Sequence, residues 1–582
     1  MIPRLTLCRR AARSFAFAAL AAIAAASGAS AGVAQRVSPS DSARAPRFPA
    51  AQPDSLLVYE PGIDVLDYAL LLDLPDTGTV IAARATLTVR RFGGRDTLRL
   101  DLIDPVVDSV LVQGRSVRFR RDSAAVWIPL PSPSHDGAAD GDTLEVVVRY
   151  HGAVRDGLVI HDNGVAGWTA FGDNWPDRAR HWIPSVDHPS DKATVTWVVI
   201  APADRRVVAN GALMEQVPLA PREPGAAPRT LTRWRLDRPI PPYLMVITAA
   251  PLAYMDMGRT ACGLAERAGC VPQSVYVFPD AVDSLPGPFA NVAEIMRFFA
   301  TLVAPFPYDK LAHVQSSTRF GGMENATAIF YDSSAVKSGR LSEGTVAHEM
   351  AHQWFGDAVT ERAWGHLWLS EGFATYFSAL WTEHHAGDSA FRAEMAEIRQ
   401  RVIASPVTAT RPVIDTAQTE YLQLLNTNSY QKGAWTLHML RALVGDSAFF
   451  AGIRRYYGAH RHGTALTDDL RRAMEAASGE SLGWFFDQWL RRPGYAEVTT
   501  SWRYDARTRR VTLDVEQGTR FRPYRFPLTI VMRDGSGTEQ RVTVTVPAQE
   551  RTRLVLPAAL DSAPRDVVVD PDVQLLAALH TR

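Results

Sequence analysis

Short runs of alternating apolar and polar residues dominate the first third of the chain. Residues 98–102 alternate strictly, and residues 83–90 and 193–200 are rich in β-branched side chains. Clusters of Asp and Gly separate these runs, as turns separate strands. The pattern predicts an N-terminal antiparallel β domain over residues 56–253.

The hydrophobic period changes near Pro286, where apolar residues begin to recur at helical spacing. Ser342 is the expected N-cap of the second helix and Gly356 its expected end. We therefore predict a mixed α/β segment over residues 254–494 in which helices dominate. The predicted helices are 290–302, 342–355, 370–385, 388–404, 429–443 and 446–458.

Strand patterns return after Ala496 and continue to the end of the chain. About 85 residues are enough for a small β-sandwich, so we assign one to residues 495–582. The predicted fold class is multidomain α+β, since 582 residues are too many for one hydrophobic core.

Charge composition excludes one broad class of partner. Lys plus Arg and Asp plus Glu number 62 each, so no strong positive field recruits nucleic acid. We expect no nucleic-acid partner.

The N-terminus has the three-part pattern of a secretory signal peptide. Basic residues from Arg4 to Arg13 precede an apolar run at 14–26, and the small residues Ala29 to Ala31 follow. That run is shorter than the roughly 20 residues that span a bilayer. We expect a signal peptide at 1–31, a disordered tether at 32–55, and export to the periplasm or the extracellular space. An uncleaved anchor is the alternative; after cleavage no stable membrane span is expected.

Two cysteines remain once the leader is removed. Cys262 and Cys270 are eight positions apart, and Gly263 and Gly269 lie between them. In an oxidising compartment such a pair is expected to form a disulfide.

The chemistry of the chain centres on His348, Glu349 and His352. Four residues apart on a helix, the two imidazoles can reach one ion, with the carboxylate beside them. This HExxH spacing is typical of zinc proteases. Alone it is also compatible with solvated residues on the surface of an alanine-rich helix.

Glu371 supplies a third candidate ligand and is separated from His352 by 18 intervening residues. Two His and one Glu with an open fourth position are typical of a catalytic zinc, one ion per chain. The alternative is a carboxylate that merely stabilises the start of a helix.

Four segments resemble the motifs of the M1, or gluzincin, aminopeptidases, a family that includes aminopeptidase N and leukotriene A4 hydrolase. They lie in the family's order over more than 110 residues, and the resemblance continues more weakly from Asp64 to the end of the chain. The segments read GGMEN from Gly321, HEMAHQWFG from His348, WLSEGFA from Trp368, and YQKGA from Tyr430.

The resemblance implies a thermolysin-like catalytic domain and a zinc-dependent aminopeptidase that hydrolyses the N-terminal peptide bond of peptides. Glu349 is then the general base for a metal-activated water, and Tyr430 donates to the developing oxyanion. Glu324 pairs with the free α-ammonium of the substrate. The rest of the implied substrate-binding motif consists of Gly321, Gly322, Met323 and Asn325.

One segment departs from the family pattern. Relatives usually carry a Gln or Glu, as a second contact to the substrate amine, shortly before the Ala-Arg pair at 179–180. Residues 171–177 contain neither residue type. Asp173 and Asn174 are the alternatives for that contact.

Two other functions are compatible with parts of this pattern. A thermolysin-like zinc endopeptidase also has HExxH and a downstream Glu, but the GGMEN segment favours an exopeptidase. A non-catalytic peptide-binding protein on the same fold needs no general base, so Glu349 argues against it.

Overall fold

The computed structural model describes residues 62–92, 94–132, 142–162, 164, 167–221, 225–261, 271–535 and 537–582. The predicted signal peptide, the tether and the pair Cys262 and Cys270 lie outside the described residues.

Fifteen strands form the N-terminal part of the described chain, and in several of them buried and exposed positions alternate as the sequence pattern predicts. The strands are β1 Ile63–Asp73, β2 Val80–Arg91, β3 Thr97–Asp101, β4 Val106–Val112, β5 Arg115–Val117, β6 Arg120–Arg121, β7 Ala125–Pro129, β8 Thr143–Ala153, β9 Leu158–Asp162, β10 Trp168–Gly172, β11 Ala193–Pro202, β12 Arg206–Ala209, β13 Ala212–Leu219, β14 Arg229–Ile240 and β15 Ile247–Ala250.

These strands form three sheets. The largest has eight strands in the order β13-β14-β11-β1-β2-β8-β4-β5, and the others follow the orders β12-β15-β10-β9 and β3-β7-β6. Every pair in them is antiparallel except β1 with β11, which runs parallel. The region is therefore a predominantly antiparallel β structure, as predicted.

A mixed sheet and a group of helices form the middle of the chain. The sheet has the order β16-β17-β18-β20-β19, and a short parallel pair joins β21 to β22. The strands are β16 Ala253–Thr260, β17 Val271–Val277, β18 Leu311–Ser316, β19 Gly322–Met323, β20 Ala328–Asp332, β21 Val359–Glu361 and β22 Gly463–Ala465. The helices are α1 Val292–Leu302, α2 Ser333–Lys337, α3 Glu343–His352, α4 Trp368–Ala386, α5 Asp388–Ala404, α6 Pro406–Thr410, α7 Gly433–Val444, α8 Asp446–His460, α9 Thr467–Ser478 and α10 Gly483–Leu490.

Helix α3 begins where predicted but ends earlier. The Ser342 hydroxyl accepts a hydrogen bond from the Thr345 N–H at 3.0 Å, so Ser342 is the N-cap. The helix ends at His352, not at Gly356, because Trp354 and Phe355 turn into an aromatic cluster with Phe299 and Phe373. The predicted helix ran to residue 355, so its end was wrong by three residues.

The predicted helix at 429–443 consists of two parts. A π-helical turn covers Asn428–Lys432, and α7 follows directly. In that turn the Lys432 N–H donates to the Thr427 carbonyl, five residues back, at 2.9 Å. Such turns often occur at functional sites, and this one contains Tyr430.

The C-terminal part consists of two sheets, β27-β24-β23-β29 and β26-β25-β28. This arrangement confirms the predicted fold class, whereas the domain boundaries drawn from the sequence stay a prediction. The strands are β23 Ala496–Asp505, β24 Arg510–Gln517, β25 Phe526–Arg533, β26 Glu539–Val546, β27 Arg551–Ala559, β28 Asp566–Val569 and β29 Ala577–Thr581. Within the described residues, no helix is both long and apolar enough to cross a membrane.

Candidate active site

The three predicted metal ligands lie together at the junction of α3 and α4. The Nε2 atoms of His348 and His352 are 3.1 Å apart. Glu371 Oε2 lies 3.3 Å from each of them. Residues 23 positions apart in the sequence therefore form one compact group of donor atoms.

This group fits a single zinc ion. Three ligand atoms at about 2.0–2.1 Å from a tetrahedral zinc lie roughly 3.3 Å from one another, close to the separations observed here. Two imidazoles and one carboxylate are also the ligand types of catalytic zinc sites, in which a fourth position stays open. Among the described residues, the one other group of candidate ligands shares His352 with this one.

A second layer of contacts orients His352. Its Nδ1 lies 3.1 Å from the Phe355 carbonyl and 2.9 Å from the Ser370 hydroxyl. A carbonyl can only accept, so Nδ1 carries the proton and the Nε2 lone pair faces the other ligands. Gly356 makes room for this contact, because a Cβ there would lie 2.4 Å from Ser370 Oγ.

Two glycines bring Tyr430 to the ligand group. A Cβ on Gly372 or on Gly433 would lie 3.0 Å from backbone atoms of the other residue, so α4 and the π-helical turn meet without side chains between them. As a result the Tyr430 hydroxyl donates to Glu371 Oε1 at 2.7 Å. Its ring also lies parallel to that of His348, with the centroids 6.0 Å apart.

Tyr430 is a hydrogen-bond donor in this site. Burial raises the pKa of its hydroxyl well above the ordinary value, and the negative charge of Glu371 raises the pKa further. The phenol therefore stays protonated, which a group that stabilises an oxyanion requires.

The side chain of Glu349 packs against Gly322 of the GGMEN segment. A Cβ on Gly322 would lie 2.0 Å from Glu349 Oε1, so only glycine leaves space for the carboxylate. Burial raises the pKa of Glu349 well above the value of a free carboxyl group. A raised pKa suits a carboxylate that has to accept and return a proton.

Two residues of the GGMEN segment, Gly322 and Met323, form the edge strand β19, which pairs antiparallel with β20. The side chains of Met323, Glu324 and Asn325 are buried. Carboxylate oxygens of Glu324 and Glu349 and a ring nitrogen of His352 lie within 4.8 Å of one another. Gly321 differs from Gly322, since a Cβ there would have no heavy atom within 4 Å.

Asp173 and Asn174 are both buried and make contacts within the chain. Buried Asp173 pairs with Arg178 at 2.7 Å and with Arg319 at 3.4 Å. The Asn174 amide donates to the carbonyls of Pro242 and Met245 and accepts from an indole N–H. Asp173 therefore contacts the segment before Gly321, and Asn174 contacts the N-terminal β region.

Sequence reasoning did not find the residues that support this site. Ser370 and Gln353 lie within the WLSEGFA and HEMAHQWFG segments, so the sequence places them near the site. Their contacts, however, depend on the tertiary structure and could not be predicted. Asn210 binds the Ala326 carbonyl across 116 residues, a contact for which no local pattern exists.

Comparison with known proteins places the chain in a family. A model of the peptidase family M1 domain matches residues 289–489, and a model of the peptidase M1 N-terminal domain matches residues 115–244. The two models together match more than half of the chain. The chain belongs to peptidase family M1. The family and the ligand group together imply one zinc ion as the cofactor.

Individual relatives agree with this assignment. A probable aminopeptidase 2 of Sulfurisphaera tokodaii is 28% identical over 425 residues, 69% of this chain and 50% of that protein. An M1 zinc metallopeptidase mutant of Deinococcus radiodurans, solved with a Tyr-Ser-Ala substrate, is 26% identical with a TM-score of 0.64 and covers 74% of this chain and 95% of its own. Aminopeptidase A of Legionella pneumophila, solved with aspartic acid, shares the fold at 18% identity and a TM-score of 0.75, over 90% of this chain and 60% of its own. The chain spans about half the length of the curated relatives that it matches.

Gly322→Ala is expected to reduce turnover because the new methyl group displaces the Glu349 carboxylate. A misplacement of about 1 Å can cost on the order of 100-fold in rate, so we expect kcat to fall by that amount. Zinc content should not change, since the ligands lie on other elements. Steady-state kinetics on an aminoacyl nitroanilide and metal analysis of the purified variant measure both quantities.

Gly321→Ala is the matched control, because it adds the same methyl group one residue away in open space. It is expected to retain most of the activity. Equal rates for the two variants would contradict the role assigned to Gly322.

Proposed function

We propose that this protein is a zinc-dependent aminopeptidase that removes residues from the free N-termini of peptides. The main support is the position of Glu324. One of its carboxylate oxygens lies within 4.8 Å of a carboxylate oxygen of Glu349 and of a ring nitrogen of His352. In a peptide, only two covalent bonds, roughly 2.5 Å, separate the α-nitrogen from the carbonyl carbon of the first peptide bond. If Glu324 binds the substrate amine, its closeness to Glu349 and His352 brings the first peptide bond to the residues that hydrolyse it.

Glu324 recognises the substrate by charge. Its side chain is buried beside other carboxylates, where an incoming ammonium ion finds a favourable partner away from water. Peptides whose amine is blocked lose this partner and leave the carboxylate unpaired.

Glu349 performs the proton transfers. It takes a proton from the attacking water and returns it to the leaving amine. His348, His352 and Glu371 would hold the zinc ion, which when bound would lower the pKa of water and polarise the scissile carbonyl. Tyr430 donates its hydroxyl proton in a hydrogen bond to the oxygen on which negative charge develops.

The tripeptide on the Deinococcus protein supports this substrate class. That M1 zinc metallopeptidase was solved with Tyr-Ser-Ala, a short peptide with an N-terminal amine. Peptides with a free N-terminus are accordingly the proposed substrates of this chain.

Acetylating the N-terminus of a peptide substrate is expected to abolish turnover. The modification removes the positive charge that Glu324 binds, so kcat/KM should fall by at least about 100-fold. Mass spectrometry of matched free and acetylated peptides measures cleavage of each bond.

A Glu349→Gln preparation is the control for contaminating peptidases, because it removes the general base and nearly preserves side-chain shape. Undiminished cleavage of the acetylated peptide by the wild-type chain, absent from the Gln variant, would identify an endopeptidase instead.

We also propose that the protein works outside the cytoplasm. The basic, apolar and small-residue segments of positions 1–31 support export through a cleaved leader. The mass of the mature chain purified from the expressing cells tests this proposal. A mass that includes residues 1–31, found for chains in the cytoplasmic fraction, would contradict it.

A further inference from the structure

Gln353 connects the zinc-binding helix to the GGMEN segment. It follows His352 directly and is fully buried. Its Nε2 donates to the Glu324 backbone carbonyl at 2.7 Å and to Asp357 Oδ2 at 2.8 Å. Its Oε1 accepts from the Thr327 N–H at 2.9 Å. One side chain therefore holds both ends of the turn that follows Glu324.

The three hydrogen-bond partners determine the positions of the oxygen and the nitrogen in the Gln353 side-chain amide. A carbonyl and a carboxylate can only accept, whereas a backbone N–H can only donate. The Gln353 amide satisfies all three groups in one orientation alone, so its position relative to His352 is tightly determined.

The backbone that Gln353 holds is strained. Thr327 has φ of 66°, a left-handed conformation that β-branched residues rarely adopt. Besides Gln353, the Gly211 N–H donates to the Thr327 hydroxyl and the Asn210 amide donates to the Ala326 carbonyl, both at 2.7 Å. The turn keeps this conformation because contacts from two sides determine it.

We propose that Gln353 is a positioning residue that sets the distance between the amine anchor Glu324 and the zinc-binding residue His352. The inference rests on the proposed aminopeptidase function, in which the amine and the scissile carbonyl of the substrate are two bonds apart. A small shift of the Glu324 backbone would then move the bound amine, and with it the scissile carbonyl, away from the position required for hydrolysis.

Gln353→Met is the direct test, because methionine keeps the unbranched length but cannot make the three hydrogen bonds. We expect KM for peptides with a free amine to rise about tenfold or more and kcat to fall less. Zinc affinity, measured by competition with a chromophoric chelator, should stay within about threefold of wild type, because the metal ligands themselves are untouched.

Gln517→Met is the matched control. Gln517 is also buried and makes three hydrogen bonds, with the Tyr524 and Pro547 carbonyls and the Tyr524 N–H, in the C-terminal sheets. This variant should lower thermal stability without raising KM. An equal rise in KM for both variants would overturn the inference, because general destabilisation would then explain the effect.

A double-mutant cycle with Glu324→Gln separates positioning from structural support. If Gln353 acts through Glu324, adding Gln353→Met to the Glu324→Gln variant should change kcat/KM by less than about threefold. If the two losses simply multiply, the inference is wrong. Should Gln353→Met not fold, Gln353→Asn, which is one methylene shorter, enters the same cycle with the same criteria.

Failure of the inference and failure of the proposed function give different results. A wild-type chain that cleaves acetylated peptides at the full rate contradicts the aminopeptidase proposal, and the role of Gln353 falls with it. A wild-type chain that requires the free amine, beside a Gln353→Met variant with unchanged KM, contradicts the inference alone.

Discussion

The fold has to accommodate several buried carboxylates that are concentrated around a pair of histidines. Isolated buried charges are costly, and this centre has few positive groups to offset them. The buried acidic residues are Glu324, Glu349, Asp357, Glu361 and Glu371. Lys192 lies nearby and is partly buried, but it donates to backbone carbonyls, and desolvation lowers its pKa to about 7. A divalent cation beside the carboxylates, and an ammonium ion from the substrate, are the charges that such a centre accommodates.

The fold meets this constraint by letting separate elements approach closely where side chains would interfere. The contact of Gly372 with Gly433 brings the Tyr430 hydroxyl to Glu371, and Gly322 leaves space for Glu349. The N-terminal strands add contacts to the same region. Asn210 and Gly211 bind the turn after Glu324, and Asp173 pairs with Arg319 before Gly321. The GGMEN segment is thus held by Gln353 at the end of α3 on one side and by the N-terminal β region on the other.

The sequence predicted those parts of the protein that depend on local spacing. The spacing of His348 and His352, the N-cap Ser342 and the alternating strands are local patterns, and the structure agrees with each of them. The end of α3 at His352 was missed because aromatic packing, rather than the glycine, decides it. The π-helical turn of Tyr430 was missed because helical periodicity does not distinguish it from an α-helix. The hydrogen bonds of Gln353 to the turn after Glu324 and the ion pair of Asp173 with Arg319 join residues that are distant in sequence. No local pattern along the chain predicts such contacts.

We propose that this chain is an aminopeptidase whose activity depends on one zinc ion, held by three residues of α3 and α4. The most direct measurement is a zinc titration of metal-free protein, following bound metal and the turnover of an aminoacyl nitroanilide in the same samples. We expect turnover to be absent without zinc, to rise in proportion to bound zinc and to stop rising at one ion per chain. Full turnover in the metal-free protein, or turnover that begins only after a second ion binds, would contradict it.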